Sequence, residues 1–372
     1  MKNALVTGSR GFIGKNLIVA LKRTGRYRIL EFDLENSYED LKAYCSKADA
    51  VVHLAGVNRP EKEEEYHQGN VEFTQDLLKI IDNAGSCPLI IFSSSIQADL
   101  DNPYGKSKKR AEELLKSWAN ERSGTVLIYR LPNVFGKWCR PNYNSAVATF
   151  CYNIARNLDI HINDPNRILE LVYIDDVVNE FSNVLEEEFP GGAHYREVKP
   201  VFKINIVKLV NLLKEFKESR KTLRLPNFND NFVKRLYATY MSYLPENEFA
   251  YSVSIKSDRR GDLAELMKSL NSGQIFTSRT RPGEIRGNHY HDSKVEKFIV
   301  IDGEALISFR NIIKNEIIEY YVSGRDFKII DIPPGYTHAI KNIGHKDLIV
   351  LFWANEIFDP ERTDTYYLEV KE

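Results

Sequence analysis

An α/β unit built on a doubly wound parallel sheet, followed by an all-β module, is the architecture this sequence predicts, on three observations. Short, continuously apolar runs alternate with longer amphipathic stretches through the first half, as a parallel sheet covered by helices requires. Three evenly spaced glycines, Gly8, Gly11 and Gly14, stand between the first apolar run and the first helical stretch. Beyond Gln274 the texture changes to short strands punctuated by Pro-Gly, Asp-Gly and Gly-Tyr turns, with no long helix between them. At 372 residues the chain exceeds one typical core of roughly 100–200 residues, which also asks for two domains.

Taken in order, Ala4–Thr7, Arg28–Phe32, Ala50–Leu54, Leu89–Ser93 and Thr125–Leu131 read as strands buried on both faces. Val71–Asn83 and Lys106–Trp118 carry apolar residues at helical spacing with polar opposite faces, so they read as crossover helices. Lys208–Tyr243 reads as helical again until Leu244-Pro245-Glu246-Asn247 breaks it. The division is therefore set at residues 1–246 and 247–372, the second part having the size of a small barrel.

Bulk properties exclude several classes. Hydrophobic residues at 43% and charged residues at 28% describe an ordinary globular chain, not a disordered one. With 51 basic and 52 acidic residues the net charge is -1, which gives no footprint for nucleic acid or an anionic membrane. Cys45, Cys87, Cys139 and Cys151 form no CxxC pair, which fits a reducing compartment. No signal-peptide layout opens the chain, and apolar runs such as Leu348–Ala354 fall far short of the ~20 residues needed to span a bilayer. A cytoplasmic setting without membrane or nucleic-acid partners is expected.

The run Gly8-Ser9-Arg10-Gly11-Phe12-Ile13-Gly14 is a Gly-x-x-Gly-x-x-Gly form of the dinucleotide fingerprint, which makes the first unit Rossmann-like. Glycines there permit a tight turn and close approach to a pyrophosphate, while the helix N-terminus offers unpaired N–H groups to the anion. Asp33, 19 residues after Gly14, is placed to accept from the adenosine ribose and by itself favours NAD; Arg10 in the loop could instead meet the 2′-phosphate of NADP. Ser93-Ser94-Ser95 ends the fourth strand, and Tyr104-Gly-Lys-Ser-Lys108 opens a helix with Tyr104 and Lys108 on one face. A phenol ionises near ~10, so an ammonium and a hydroxyl donor are the means to make it exchange protons near neutrality. Tyr104 is the expected general acid, Lys108 its tuner and ribose anchor, and Ser95, in preference to Ser94, the carbonyl orienter.

These residues resemble the extended short-chain dehydrogenase/reductase family, over about residues 1–243. Further agreement lies in His53-Leu-Ala-Gly56, Asn70-Val-Glu-Phe-Thr74, Leu131-Pro-Asn133-Val-Phe-Gly136 and Val172-Tyr-Ile-Asp-Asp-Val177. The resemblance implies that Asn133 faces substrate and that Asn70 steadies the helix beneath Tyr104. The Ser95-to-Tyr104 interval of nine residues is shorter than most such proteins have.

In the second half, Gly283-x5-His289-x-His291-x4-Glu296-x6-Gly303 is followed by Pro333-x-Gly335-x2-His338-x3-Asn342. Alternation along a strand puts His289 and His291 on one face, and Glu296 and His338 would complete a three-nitrogen, one-carboxylate set for a first-row divalent metal. This pattern resembles the two motifs of the cupin superfamily over about residues 274–360, which implies a jelly-roll barrel. The second motif departs only in its leading glycine, where Phe327 stands. Zinc is the expected metal because the coupled chemistry needs no redox change, although the ligands alone would accept iron.

A nucleotide-sugar reductase fused to a metal cupin resembles bifunctional enzymes of capsular-polysaccharide (N-acetyl-L-fucosamine precursor) synthesis. That resemblance implies C3 epimerisation of a UDP-linked 2-acetamido-2,6-dideoxy-4-hexulose in the cupin, then C4 reduction with NADPH in the first domain, in a homodimer. Tyr290, Lys297, Arg279 and Arg286 lie near the ligands in sequence, and which side chain moves the C3 proton is left open. Two other readings stand beside this one. One is an epimerase or dehydratase that holds NAD permanently and uses the cupin only for binding or dimerisation. The other is a non-enzymatic sensor, for which an intact Tyr104 and Lys108 have no use.

Overall fold

The computed structural model of the protein describes residues 1–253, 255–258, 261–264, 267, 273–356 and 361–371. The chain divides into two compact units, Met1–Ser145 with Leu169–Lys203, and Ala146–Ile168 with Ile204–Glu372.

The first unit is organised by a six-stranded sheet in the order Tyr27–Phe32, Lys2–Thr7, Ala50–His53, Leu89–Ser95, Thr125–Leu131, Gly192–Arg196, every neighbouring pair parallel. The chain leaves Lys2–Thr7 toward one edge and returns to its other side at Ala50–His53, which creates a topological switch point there. The central strands are apolar throughout because helices cover the sheet. Leu77, Ile81, Leu115 and Trp118 of the helices Phe73–Asn83 and Pro103–Arg122 share one core with Leu5, Val51, Ile90 and Ile128 of the sheet. The helix Phe12–Thr24 lies instead against Ile174–Val184.

Three local differences from the sequence reading bear on the site. The strand expected to stop at Ser93 runs on to Ser95, so Ser94 and Ser95 alternate between opposite faces. The helix expected from Lys106 starts at Pro103, because Asn102 caps it by accepting the Gly105 N–H at 2.8 Å and proline suits the first turn. A six-residue π-helix, His67–Glu72, precedes Phe73–Asn83 and carries Asn70.

In the second unit the expected helical stretch Lys208–Tyr243 is two helices, Ile206–Thr222 and Asn231–Met241. Leu223 in the left-handed region ends the first, and Asp230 caps the second by accepting the Phe232 N–H at 2.8 Å. Ala146–Ala155 adds a further helix, and most of the remainder is antiparallel β structure: a two-stranded hairpin, Ile255–Asp258 with Gly261–Ala264, and two five-stranded sheets. One runs Ala250–Ser252, Lys328–Ile332, Glu296–Asp302, Leu348–Ala354, Gln274–Thr280; the other runs Ile317–Ser323, Glu304–Asn311, Tyr336–Asn342, Ile285–Tyr290, Tyr366–Tyr367. Phe327, which stands where the second histidine motif lacks its glycine, adopts φ 44° and so keeps the backbone a glycine would take without strain.

Candidate active site and candidate metal centre

The glycine loop lies at the switch point and is shaped by contacts that exclude a side chain. Gly8 has φ +66°, and a Cβ on it would stand 2.8 Å from the Ala55 nitrogen; one on Gly14 would stand 2.3 Å from the Gly8 oxygen. Gly11 is the N-cap of the helix that Phe12 and Ile13 begin, and no side chain caps it, so its first N–H groups are free to face an anion. Asp33 follows the second strand and accepts from the Arg10 N–H at 2.7 Å and the Leu34 N–H at 2.9 Å. The Arg10 guanidinium pairs with Glu35, and both side chains are exposed. This loop therefore fits a dinucleotide, with Asp33 and Arg10 both at its rim.

Tyr104 and Lys108 lie on one face of the capped helix. Burial pushes the Tyr104 phenol above its ordinary value while a hydrogen bond with Ser95 pulls it down. Burial brings the Lys108 ammonium down to about 8, with Glu112 pulling it up. The Lys108 Nζ lies 4.6 Å from the centre of the Phe92 ring, and a Cβ on Gly56 would be 3.7 Å from it. Strand alternation puts the serines on opposite faces: Ser95 meets Tyr104, while Ser94 donates to Glu112 at 2.5 Å. Asn70 donates from Nδ2 to the Val57 oxygen at 2.8 Å and the Ser107 hydroxyl at 2.9 Å, and Ser107 donates to the Tyr104 oxygen at 2.7 Å. Asn70 thus braces the turn that presents Tyr104. In front of the phenol opens a cleft of about 390 Å³ lined by Asn58, Tyr66, Gln97, Asn102 and Asn144 among others. Asn133 is exposed, donates to the Glu170 oxygen at 3.1 Å, and is not among the residues lining that cleft.

Sequence reasoning missed the support beneath this site. Glu112, two turns after Tyr104, is buried and accepts from Arg130 at 2.9 and 2.8 Å and from Tyr195 at 2.7 Å. Its signal was a glutamate on the helix's apolar face, beside Ala111 and Leu115. His53 bridges the Thr7 and Thr74 hydroxyls at 2.8 and 2.9 Å, and burial with the nearby Lys108 charge holds it neutral, its pKa lowered to about 3.

In the second unit, His289, His291, Glu296 and His338 each offer one ligand atom, all within 4.8 Å of one another. Glu296 opens a strand of one five-stranded sheet, whereas His338 and His289 pair across the other. His291 lies just past the end of Ile285–Tyr290, and a register shift between Gly287 and His289, with Asn288 at φ 55°, lets both histidines converge. Burial depresses His289, to about 3, and His338. Burial alone would raise Glu296, but His291 and His338 outweigh it and hold the carboxylate ionised. Neither nitrogen of His338 nor Nε2 of His291 has a hydrogen-bond partner although each is buried, which is the condition of ligand atoms facing a cation. Three imidazoles and one carboxylate fit a divalent first-row metal.

Of the basic neighbours, Lys297 points to the opposite face from Glu296, donating to Asp331 at 2.5 Å and Tyr251 at 3.0 Å. Arg286 is spent on Thr280 and the Arg279 oxygen, both at 2.9 Å. Lys294, which sequence reasoning passed over, has its Nζ 3.6 Å from Glu296 and 2.9 Å from the Thr365 hydroxyl.

Residues 4–196, the segment carrying the glycine loop and Tyr104, match the NAD dependent epimerase/dehydratase family. The chain belongs to that family. Residues 256–366 match the Polysaccharide biosynthesis C-terminal domain. A Pseudomonas aeruginosa protein described as UDP-2-acetamido-2,6-beta-L-arabino-hexul-4-ose reductase is 44% identical over 368 residues, 99% of each chain. The crystal structure of the capsular polysaccharide assembling protein CapF from Staphylococcus aureus is 46% identical, with a TM-score of 0.68 over 99% of this chain and 100% of that one. A UDP-glucuronic acid 4-epimerase of Bacillus cereus in complex with NAD, 20% identical, shares the fold with a TM-score of 0.52 over 58% of this chain and 84% of that one. Among the described residues, no helix is long and apolar enough to cross a membrane.

Proposed function

We propose that the protein is a bifunctional UDP-keto-sugar enzyme of polysaccharide biosynthesis. In this reading residues 1–246 reduce C4 of a UDP-2-acetamido-2,6-dideoxy-4-hexulose with NADPH, and residues 247–372 form a zinc-binding cupin jelly roll that first epimerises C3. UDP-2-acetamido-2,6-dideoxy-L-talose is the product, and the homodimer and cytoplasmic setting expected from the sequence belong to the same reading. The observation that carries it is the Tyr104–Lys108–Ser95 arrangement beside a glycine loop, in a chain 44% identical end to end to a protein described as a UDP-4-keto-sugar reductase.

Reduced nicotinamide, when bound, supplies the hydride that C4 accepts. Gly8, Arg10, Gly11, Phe12, Ile13, Gly14 and Asp33 would hold its phosphate and adenosine end, and Lys108 would anchor its ribose. Ser95 donates a hydrogen bond to the C4 carbonyl oxygen and orients it. Tyr104 gives its phenolic proton to that oxygen as the C4–O bond becomes single, and the Lys108 charge steadies the phenolate left behind. Asn133 is assigned to the sugar, at the start of the short strand Asn133–Phe135 that follows Thr125–Leu131.

In the second unit, His289, His291, Glu296 and His338 would hold the ion, which supplies Lewis-acid charge to acidify the C3–H beside a C4 ketone. Among neighbouring cations, Lys297 is committed to Asp331, while Lys294 stands closest to the ligand set. NADPH requires Arg10 to exchange Glu35 for the 2′-phosphate; a higher kcat/KM with NADH would assign the ribose end to Asp33 instead.

The test separates the two chemistries. Tyr104→Phe should abolish NADPH oxidation yet leave deuterium incorporation at C3 in heavy water, and His338→Ala, supplied with the C3-epimerised ketone, should still oxidise NADPH yet take up no deuterium at C3. Loss of both activities from either single change would overturn the assignment.

A further inference from the structure

The segments that carry the four ligand candidates of the second unit converge on one short stretch of chain. The Asp364 oxygen lies 2.5 Å from Nδ1 of His291. A backbone oxygen only accepts, so this contact makes Nδ1 the protonated nitrogen and leaves Nε2, the atom without a partner, as the ligand. The Asp364 carboxylate accepts from the backbone N–H groups of Asp292, Ser293 and Lys294 at 2.8, 2.8 and 2.7 Å, and from the Ser293 hydroxyl at 2.9 Å. It therefore closes the turn that links His291 to Glu296. Thr365 holds Lys294, whose ammonium lies 3.6 Å from Glu296. Tyr367 pairs in register with His289, the Leu368 N–H donates to the Asn288 oxygen at 2.8 Å, and Thr337, next to His338, donates its hydroxyl to the Leu368 oxygen. Arg310, buried beneath, donates to the oxygens of Val370 at 3.0 Å and Glu369 at 2.5 Å and fixes the far end.

We infer that the segment Asp364–Val370 is the positioning shell of the metal centre, with Asp364 fixing the His291 tautomer and the turn between two ligands. The inference rests on the metal reading above, and adds that ion retention depends on residues some seventy positions removed from the first ligands. Asp364 touches no reacting atom in this account; it is a positioning residue. Partners of this kind typically change metal affinity by about 10–100-fold when removed. Coupling is reciprocal, so an ion at the four ligands should also hold the segment in place.

The test uses the full-length protein and Zn²⁺ in competition with a chromophoric chelator. Asp364→Ala should raise the Zn²⁺ Kd by about 10–100-fold, and Asp364→Asn, which keeps one acceptor oxygen, should raise it less. In the metal-free protein, ¹⁵N spectra of the His291 ring should show a single Nδ1–H tautomer in the wild type; Asp364→Ala keeps the accepting carbonyl but frees the 292–294 turn that the carboxylate holds against it, so the variant should show a mixture of tautomers. Should the alanine variant not fold, hydrogen exchange of the wild type decides: Zn²⁺ should slow exchange at the Leu368 and Val370 amides. A folded Asp364→Ala with wild-type Zn²⁺ affinity, or Leu368 and Val370 protection indifferent to Zn²⁺, overturns the inference alone. A wild-type protein that takes up no Zn²⁺ overturns the metal reading and the inference with it.

Discussion

Glu112→Ala removes the buried anion on which the helix bearing Tyr104 and its neighbouring strands are fastened. The carboxylate is 1% exposed and accepts four hydrogen bonds, from Ser94 at 2.5 Å, from Arg130 at 2.9 and 2.8 Å, and from Tyr195 at 2.7 Å. Breaking a buried ion pair by deleting one partner costs about 3–5 kcal/mol. Arg130 keeps a second partner, Asp99 at 2.8 Å, and its side chain is 27% exposed, so it is not stranded without solvation. The cost should therefore lie near the lower end, about 3 kcal/mol, which in a unit of this size lowers Tm by about 6–12 °C. Urea unfolding of wild type and variant, followed by circular dichroism at pH 7, measures it. The pH dependence gives a second reading. Burial alone would raise the Glu112 carboxyl, but its hydrogen bonds with Arg130, Ser94 and Tyr195 hold it below the ordinary value. Its contribution is thus present in full above the unfolded carboxyl pKa and is lost as pH falls through the lower folded value, so the two proteins should converge in acid. A loss below about 1 kcal/mol at pH 7, the size of a surface pair, would refute the reasoning.

Other outcomes follow from single residues. His53 is held neutral with a pKa of about 3, so its share of stability is complete above the unfolded histidine value and drains at about 1.4 kcal/mol per pH unit below it; His53→Gln should lack that slope between pH 6 and 4 in matched urea titrations. Lys108 loses its proton near 8, so kcat/KM for ketone reduction should fall above that pH, and Lys108→Arg should remove the falling limb whatever its rate; a flat wild-type profile to pH ~9.5 contradicts the assigned role. Glu35→Gln frees Arg10 from its carboxylate partner and should lower KM for NADPH while leaving that for NADH unchanged.

The parallel sheet and its glycine loop were legible because continuous apolar runs and a fingerprint between the first strand and helix are local signals. Element ends were less so: the helix bearing Tyr104 begins three residues before the expected Lys106 because Asn102 caps it, and the stretch Lys208–Tyr243 breaks at Leu223, whose left-handed backbone no periodicity encodes. The four metal-ligand candidates were readable as a spacing, and the structure brings them together. How they meet was not readable, since His289 and His291 converge through a register shift at Gly287 rather than along one regular strand. Lys297, adjacent in sequence to Glu296, turns away because neighbours on a strand face opposite sides. Asp364 lies far from His291 in sequence and carries no motif, so only the folded chain reveals it.

Wild-type protein loaded with Zn²⁺, given the UDP-4-keto-hexosamine and NADPH in heavy water, addresses the two-site claim in one tube. The product should carry deuterium at C3, and one equivalent of NADPH should be consumed per sugar reduced. Turnover without net NADPH consumption, or a reduced sugar retaining its original C3 hydrogen, would contradict it.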